Sequence, residues 1–160
     1  MKRALAPAIA ALAVAMLTMA PLGSAASAST PGTAQVSGLL APDRDGSCTE
    51  HPNPEGGAWD VTGALVGCWY VDTYVVDHQS NGGGIVASGT ETFSGCLGAT
   101  CGHFFTTYKF TANYDGDTET HGRCHHPITG GDGGFSGASG VIAMKDLPNG
   151  CATYTGHVTL

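Results

Sequence analysis

Charged residues are scarce in this sequence, and positive ones are the scarcest. Lys, Arg, Asp and Glu make up 12% of the 160 residues, and only six are Lys or Arg. Two of those six, Lys2 and Arg3, lie at the start, so residues 29–160 hold four cations against thirteen acids, a formal charge of −9. An excess of negative charge disfavours binding to nucleic acid or to an anionic membrane surface. We expect neither as a partner.

Several common signatures are also missing. No segment after residue 28 has the apolar stripe and capping residues of an amphipathic helix. The sequence lacks the Gly-x-Ser-x-Gly nucleophile elbow and the Lys-Ser/Thr of a phosphate-binding loop. It therefore gives no support for a serine hydrolase or a nucleotide-binding protein.

The first 28 residues have the three parts of a secretory signal peptide. A positive start precedes an apolar run over residues 4–20, and Ala26-Ser27-Ala28 is a small-x-small cleavage site. The run is short for a bilayer span of about 20 residues and contains Pro7. We expect cleavage after Ala28, a first mature residue Ser29, secretion to the extracellular space, and no membrane segment afterwards.

Six cysteines are available to form disulfide bonds that stabilise the fold. All six cysteines follow the signal, and in a small exported chain six cysteines predict three disulfides. Fifteen pairings are possible in principle, and position narrows them, with Cys96–Cys101 the most secure pair. Cys96 and Cys101 flank a four-residue loop, Cys48 and Cys68 are the N-terminal pair, and the remaining cysteines are Cys124 and Cys151.

The remaining sequence predicts strands. Residues 29–57 contain four prolines and little periodicity, which indicates an extended lead-in. From residue 58 onward, Val, Thr, Tyr and Phe recur between glycine-rich turns. The strand candidates are 65–78, 85–94, 103–114, 118–126, 135–145 and 152–160. Long strands joined by short turns favour an antiparallel meander, which avoids exposed edges by closing into a barrel over residues 58–160.

The alternation of side chains predicts which residues face the inside. In 85–94, Ser88, Thr90, Thr92 and Ser94 share one face, which we expect to be wet, so Glu91 and Phe93 point inward. In 152–160 the inward set is Ala152, Tyr154, Val158 and Leu160, with Cys151 on the other face. If Cys124 bridges to Cys151, then Cys124 points outward and His121, Arg123 and His125 point inward.

One stretch resembles a known superfamily. The motif Ile-Thr-Gly-Gly-x-Gly-x-Phe-x-Gly-Ala-x-Gly occupies residues 128–140, and Gly-Thr-Glu-Thr-Phe-Ser-Gly occupies 89–95. Both resemble the barrels of allene oxide cyclases and plant dirigent proteins, over about residues 63–160. The resemblance implies eight antiparallel strands and a possible homo-oligomer. The disulfides and the run Arg-Cys-His-His at 123–126 depart from the plant pattern, so no cyclase catalytic residue is carried over.

Two kinds of site follow from these residues. A metal site would use His121, Cys124, His125 and His126, but adjacent His125 and His126 point to opposite faces of a strand and Cys124 is expected to be oxidised. We therefore expect no metal and no cofactor. The second kind is a polar cluster in the lumen, made of Glu91, Tyr108, His121, Arg123, His125 and Tyr154. Such groups either orient a ligand and move protons, or satisfy each other in a filled interior.

The functional expectation is a secreted, disulfide-stapled β-barrel that binds a small apolar or aromatic molecule in its lumen. One alternative is an enzyme, a cyclase or isomerase that works without a cofactor. The other is a structural or interaction module of the cell exterior. An open lumen favours the first two, and a lumen filled with side chains favours the third.

Overall fold

The computed structural model describes residues 32–49 and 57–160. The expected signal peptide, 1–28, lies outside the described residues. Within them the chain forms eight β-strands. They are β1 Thr33–Pro42, β2 Ala58–Gly63, β3 Leu65–Gln79, β4 Gly84–Leu97, β5 Thr100–Asp115, β6 Thr118–Gly133, β7 Ser139–Asp146 and β8 Ala152–Thr159. The described ranges contain no helix that is long and apolar enough to cross a membrane.

The eight strands form a closed barrel in sequence order. Each strand pairs antiparallel with the next, and β8 returns to pair with β1, from Thr33 opposite Thr159 to Leu40 opposite Ala152. The predicted all-β, closed antiparallel barrel of about eight strands is confirmed. The barrel begins at residue 33, upstream of the boundary predicted at residue 58, because β1 lies inside the expected lead-in.

One end of the barrel is filled by aromatic side chains. Phe93 and Phe104 stack with ring centroids 4.7 Å apart, and Phe135 meets both rings edge-on at 6.0 Å and 5.4 Å. Phe135 belongs to the β6–β7 turn rather than to the strand predicted over 135–145, and it is fully buried. Phe135 thus closes this end of the barrel although it belongs to a turn and not to a strand. Its burial stabilises the fold by about 2–3 kcal/mol.

Tyr154 also lies at the filled end. Its hydroxyl accepts a hydrogen bond from the backbone N–H of Leu65 at 2.9 Å. A Cβ at Gly38 would collide with the Tyr154 ring, so only glycine leaves room for this tyrosine. The predicted inward direction of Tyr154 is confirmed, but the residue is part of the packed core.

Two of the three predicted disulfides are present. Cys48–Cys68 ties the segment after β1 to β3, and Cys96–Cys101 clips the β4–β5 hairpin at the pair where these residues face each other. Cys124 and Cys151 are free thiols, so the predicted third bridge is wrong. Two structural disulfides are consistent with an extracellular protein.

The outer face of β4 is only partly wet. Thr90 is exposed as predicted, but Thr92 is buried and donates a hydrogen bond from Oγ1 to Asp72 Oδ2 at 2.8 Å. Asp72 sits at a register shift between β3 and β4, where the strand bulges. The bulge brings a carboxylate beside Thr92, which period-two alternation does not predict.

Candidate functional site

The other end of the barrel opens into a cavity of about 640 Å³. Its mouth lies between the β5–β6 turn, at Asp117 and Thr118, and the β7–β8 connection, at Leu147 and Pro148. Inward side chains of β1 to β8 form its walls, and the aromatic cluster around Phe93 and Phe104 lies beyond it. The barrel is therefore half filled and half open.

The inward face of β6 is the reverse of the one predicted. Cys124 and His126 line the cavity, whereas His121, Arg123 and His125 are exposed on the outer surface. The prediction was wrong because it placed Cys124 outward through a disulfide that does not form. Since side chains alternate along a strand, one wrong direction reverses every neighbour.

Glu91, His126 and Trp69 form a buried polar group at the inner end of the cavity. His126 Nε2 lies 2.9 Å from Glu91 Oε2, and Trp69 Nε1 donates to the same oxygen at 2.7 Å. The side chains of His126 and Glu91 are 1% and 7% exposed. A buried carboxylate needs donors of this kind, and Glu91 is the predicted lumen residue that the structure brings to the site.

The hydrogen bonds around His126 determine how many protons the group holds. The Nδ1 atom lies 3.2 Å from the carbonyl oxygen of Ile142, which can only accept, so Nδ1 carries a hydrogen. The contact between Nε2 and Glu91 Oε2 then requires one more proton, on the imidazole or on the carboxyl. The pair is thus a proton-holding unit that faces the cavity.

Tyr108 lies beside this pair, as predicted for the lumen. Its ring is 6.0 Å from that of His126, and its hydroxyl donates to the carbonyl oxygen of Thr73 at 3.1 Å. A side chain at Gly89 would collide with the Tyr108 ring and the Thr73 carbonyl. Burial, and then the charge of Glu91, raise the pKa of Tyr108 well above its ordinary value. This phenol therefore stays protonated and acts as a hydrogen-bond donor.

Two further carboxyls converge near the mouth. Glu119 Oε1 and Asp146 Oδ2 lie close together over Gly122, where both would collide with a Cβ. Tyr114 donates from its hydroxyl to Glu119 Oε2 at 3.2 Å. Burial, and then the neighbouring Glu119, raise the pKa of Asp146 from 3.8 to about 6. The absence of a side chain at Gly122 is what lets the two acids meet.

The free thiol of Cys124 forms part of the same wall. Burial, followed by the charges of Glu91 and Asp146, raises the pKa of Cys124 well above that of an ordinary thiol. Since the thiolate is the reactive form, a raised pKa leaves Cys124 little of it at neutral pH. The thiol forms part of the cavity wall.

Sequence reasoning missed most of the residues that form the site. His126, Trp69, Glu119 and Asp146 were not among the lumen candidates, although the signal for His126 was present. On β6 the set Gly122, Cys124, His126 and Ile128 is less polar than the alternating set, and the less polar face of a strand is the one that packs inward. His121, Cys124, His125 and His126 form no metal-ligating group within the described residues.

Comparison with known proteins adds no identity to this geometry. No protein-family model matches the chain, and a search of curated proteins finds no significant match. The closed barrel agrees with the fold that the cyclase and dirigent resemblance implies, but membership of that superfamily stays a prediction.

Proposed function

We propose that this protein is a secreted barrel that binds a small apolar or aromatic molecule in the open half of its lumen. The observation that carries the proposal is the cavity of about 640 Å³ that ends at the buried Glu91–His126 pair. Ligand cavities in proteins span roughly 300–1,000 Å³ and combine apolar walls with a few converging polar groups. The signal-like residues 1–28 and the two disulfides support secretion.

The composition of the walls supports an apolar ligand. Trp59 and Trp69 lie on neighbouring strands as a directly opposed pair, and both line the cavity. Leu40, Val71 and Met144 complete the apolar surface around them. A cavity of about 640 Å³ with such walls is better suited to holding a molecule than to serving as a structural core, which supports ligand binding over a purely structural module.

A second candidate is an isomerase or cyclase that works without a cofactor. The Glu91–His126 pair favours it, because a proton-holding carboxyl and imidazole facing a cavity can act as general base and general acid. In this function His126, which points inward from β6, would exchange a proton with the substrate together with Glu91. Turnover of a bound ketone or epoxide, lost in Glu91→Gln, would distinguish the enzyme from a binding protein.

Binding can be tested with the two tryptophans as reporters. The chain has only two tryptophans and both line the cavity, so its indole emission reports on the site. Phenylbutanol is a suitable neutral probe with an apolar body. Ala152→Phe fills the cavity from β8, whereas Thr153→Phe adds the same ring on the exposed face.

We expect a saturable change in emission for the wild type and Thr153→Phe, and none for Ala152→Phe. Circular dichroism of each variant verifies that the barrel is intact. The proposal is wrong if no emission change occurs in the wild type, or if a folded Ala152→Phe variant responds like the wild type.

A further inference from the structure

The cavity is lined by several acids, and all the described Lys and Arg residues lie outside it. Four acids line the cavity, and neither Lys nor Arg is among the described residues that do so. The four are Glu91, Asp117, Glu119 and Asp146. The four cations in the described part of the chain are all exposed; they are Arg44, Lys109, Arg123 and Lys145. Lys109 and Arg123 lie on β5 and β6, the strands whose inner faces line this acidic cavity.

Two of the acids face each other, and no Lys or Arg of the described residues pairs with either of them. Glu119 Oε1 and Asp146 Oδ2 converge over Gly122, and the neutral hydroxyl of Tyr114 is the donor to Glu119. Like charges at this separation require a shared proton or a cation between them. A protonated amine would supply both the charge and the hydrogen-bond donors that two carboxylates need.

Glu91 provides a second, independent acceptor deeper in the cavity. Trp69 and His126 both contact Oε2, and within residues 32–49 and 57–160 no hydrogen bond to Oε1 is formed. The Glu91 side chain is only 7% exposed and lines the cavity, so a ligand would reach Oε1 from the cavity. A carboxylate oxygen that accepts no hydrogen bond from the described residues is an acceptor for a ligand N–H or O–H.

The walls between these acids suit a cation with an apolar body. Trp59, Trp69 and Tyr108 line the cavity, with Tyr74 and Phe110 near its mouth. The faces of aromatic rings attract ammonium groups, and their area packs against hydrocarbon. An anionic ligand would meet acids of its own sign near the mouth and no Lys or Arg among the described lining residues.

From these four observations we infer that the cavity selects ligands that carry a protonated amine on an apolar or aromatic body. The ammonium group binds at Glu119 and Asp146, the body lies along the tryptophans, and a polar hydrogen, where the ligand has one, reaches Glu91 Oε1. The inference rests on the proposed binding function and narrows it to one chemical class.

Three probes that share a body and differ in charge test this selectivity. They are phenylbutylamine, phenylbutanol and phenylbutyrate, each titrated by calorimetry into the oxidised full-length secreted protein at neutral pH and low salt. We expect the amine to bind about tenfold or more tightly than the alcohol, and the carboxylate to bind more weakly than the alcohol. Added salt should reduce the preference for the amine, since screening weakens attraction between charges near the mouth.

Paired variants locate the selectivity. The double variant Glu119→Gln, Asp146→Asn keeps the shape of both side chains and removes their charge, and it should reduce the amine preference to about threefold or less. Asp132→Asn removes an exposed acid beside His103, at the filled end of the barrel, and should leave the preference unchanged.

The outcomes separate the inference from the proposed function. If amine and alcohol bind with equal affinity, or if the double variant retains the full preference, the inference is wrong and the binding function stands. If none of the three probes binds, both are wrong. If the carboxylate binds most tightly, the cavity is electropositive when occupied and the charge argument fails.

Discussion

His126 and Glu91 contact each other at 2.9 Å although their strands, β6 and β4, are not neighbours in the barrel. Strand β5 lies between them, and its inward residue opposite Glu91 is Thr106, which is small and buried. The contact therefore crosses the interior of the barrel. It separates the aromatic half around Phe93 from the open half that forms the cavity.

Replacing the charge of Glu91 should destabilise the fold. Glu91→Gln keeps the shape but removes the charge that accepts from Trp69 and pairs with His126, so we expect a loss of about 1–3 kcal/mol in the free energy of unfolding. Urea denaturation measures it. Asp115→Asn, the same kind of change at an exposed position, should have almost no effect. Equal stability of Glu91→Gln and the wild type would show that Glu91 faces solvent.

The turn residue Phe135 should contribute as much to the stability of the fold as a core residue does. Phe135→Ala removes a fully buried ring and leaves a void against Phe93 and Phe104, which should cost about 3–5 kcal/mol. Phe105→Ala is the matched control because Phe105 is 39% exposed on the outside, and it should cost about 1 kcal/mol or less. Similar losses in thermal or urea denaturation would contradict the role of Phe135 in closing the barrel.

The oxidised protein should contain two free thiols. Unfolded but unreduced protein should react with two equivalents of a thiol reagent, and Cys124→Ser should lower this number to one. In the folded protein Cys124 should react slowly, because burial raises its pKa and leaves little thiolate. A reading of zero thiols in the unfolded wild type would instead establish the Cys124–Cys151 bridge.

Asp146 should make stability depend on pH. Its pKa is raised from 3.8 to about 6 in the folded protein, so the folded state holds the proton more tightly than the unfolded chain. The contribution of Asp146 to the free energy of unfolding is therefore complete below pH 3.8 and is lost as the pH rises through about 6. A shift of this size corresponds to about 3 kcal/mol in full, and solvent screening at this half-buried carboxyl reduces it to about 1 kcal/mol.

Asp146→Asn removes this titration. Denaturation curves should show that the wild type loses about 1 kcal/mol more stability than the variant as the pH rises from acidic to neutral. The variant should therefore be the more stable protein at neutral pH. The same dependence on pH in both proteins would mean that folding does not raise the pKa of Asp146.

The fold could be predicted from the sequence because a period of two and glycine-rich turns are local signals. Glu91 was placed inside for this reason, since Ser88, Thr90, Thr92 and Ser94 all lie on the other face of its strand. The strand β1 was missed because its residues include Gly38 and Pro42 and show no clear alternation. It is a strand through its pairing with β2 and β8, which is a long-range effect.

The site could be predicted only in part because its members are brought together across the barrel. The meeting of Glu119 with Asp146 depends on the position of Gly122 beneath both carboxyls and on the register of β6 with β7, and neither spatial relation can be read from the sequence. The direction of β6 was inferred from a disulfide pairing, and pairing is a tertiary property. An inference from the polarity of the two faces of β6 would have placed His126 inside.

The most direct test of ligand binding in the open half of the barrel is the response of the two indole N–H resonances to phenylbutanol in isotope-labelled protein. Trp59 and Trp69 both line the cavity, and the N–H of Trp69 is bonded to Glu91. Both resonances should shift in a saturable way in the wild type, and neither should shift in folded Ala152→Phe. Two indole resonances that stay fixed while backbone signals elsewhere respond to phenylbutanol would contradict a ligand site in the open half of the barrel.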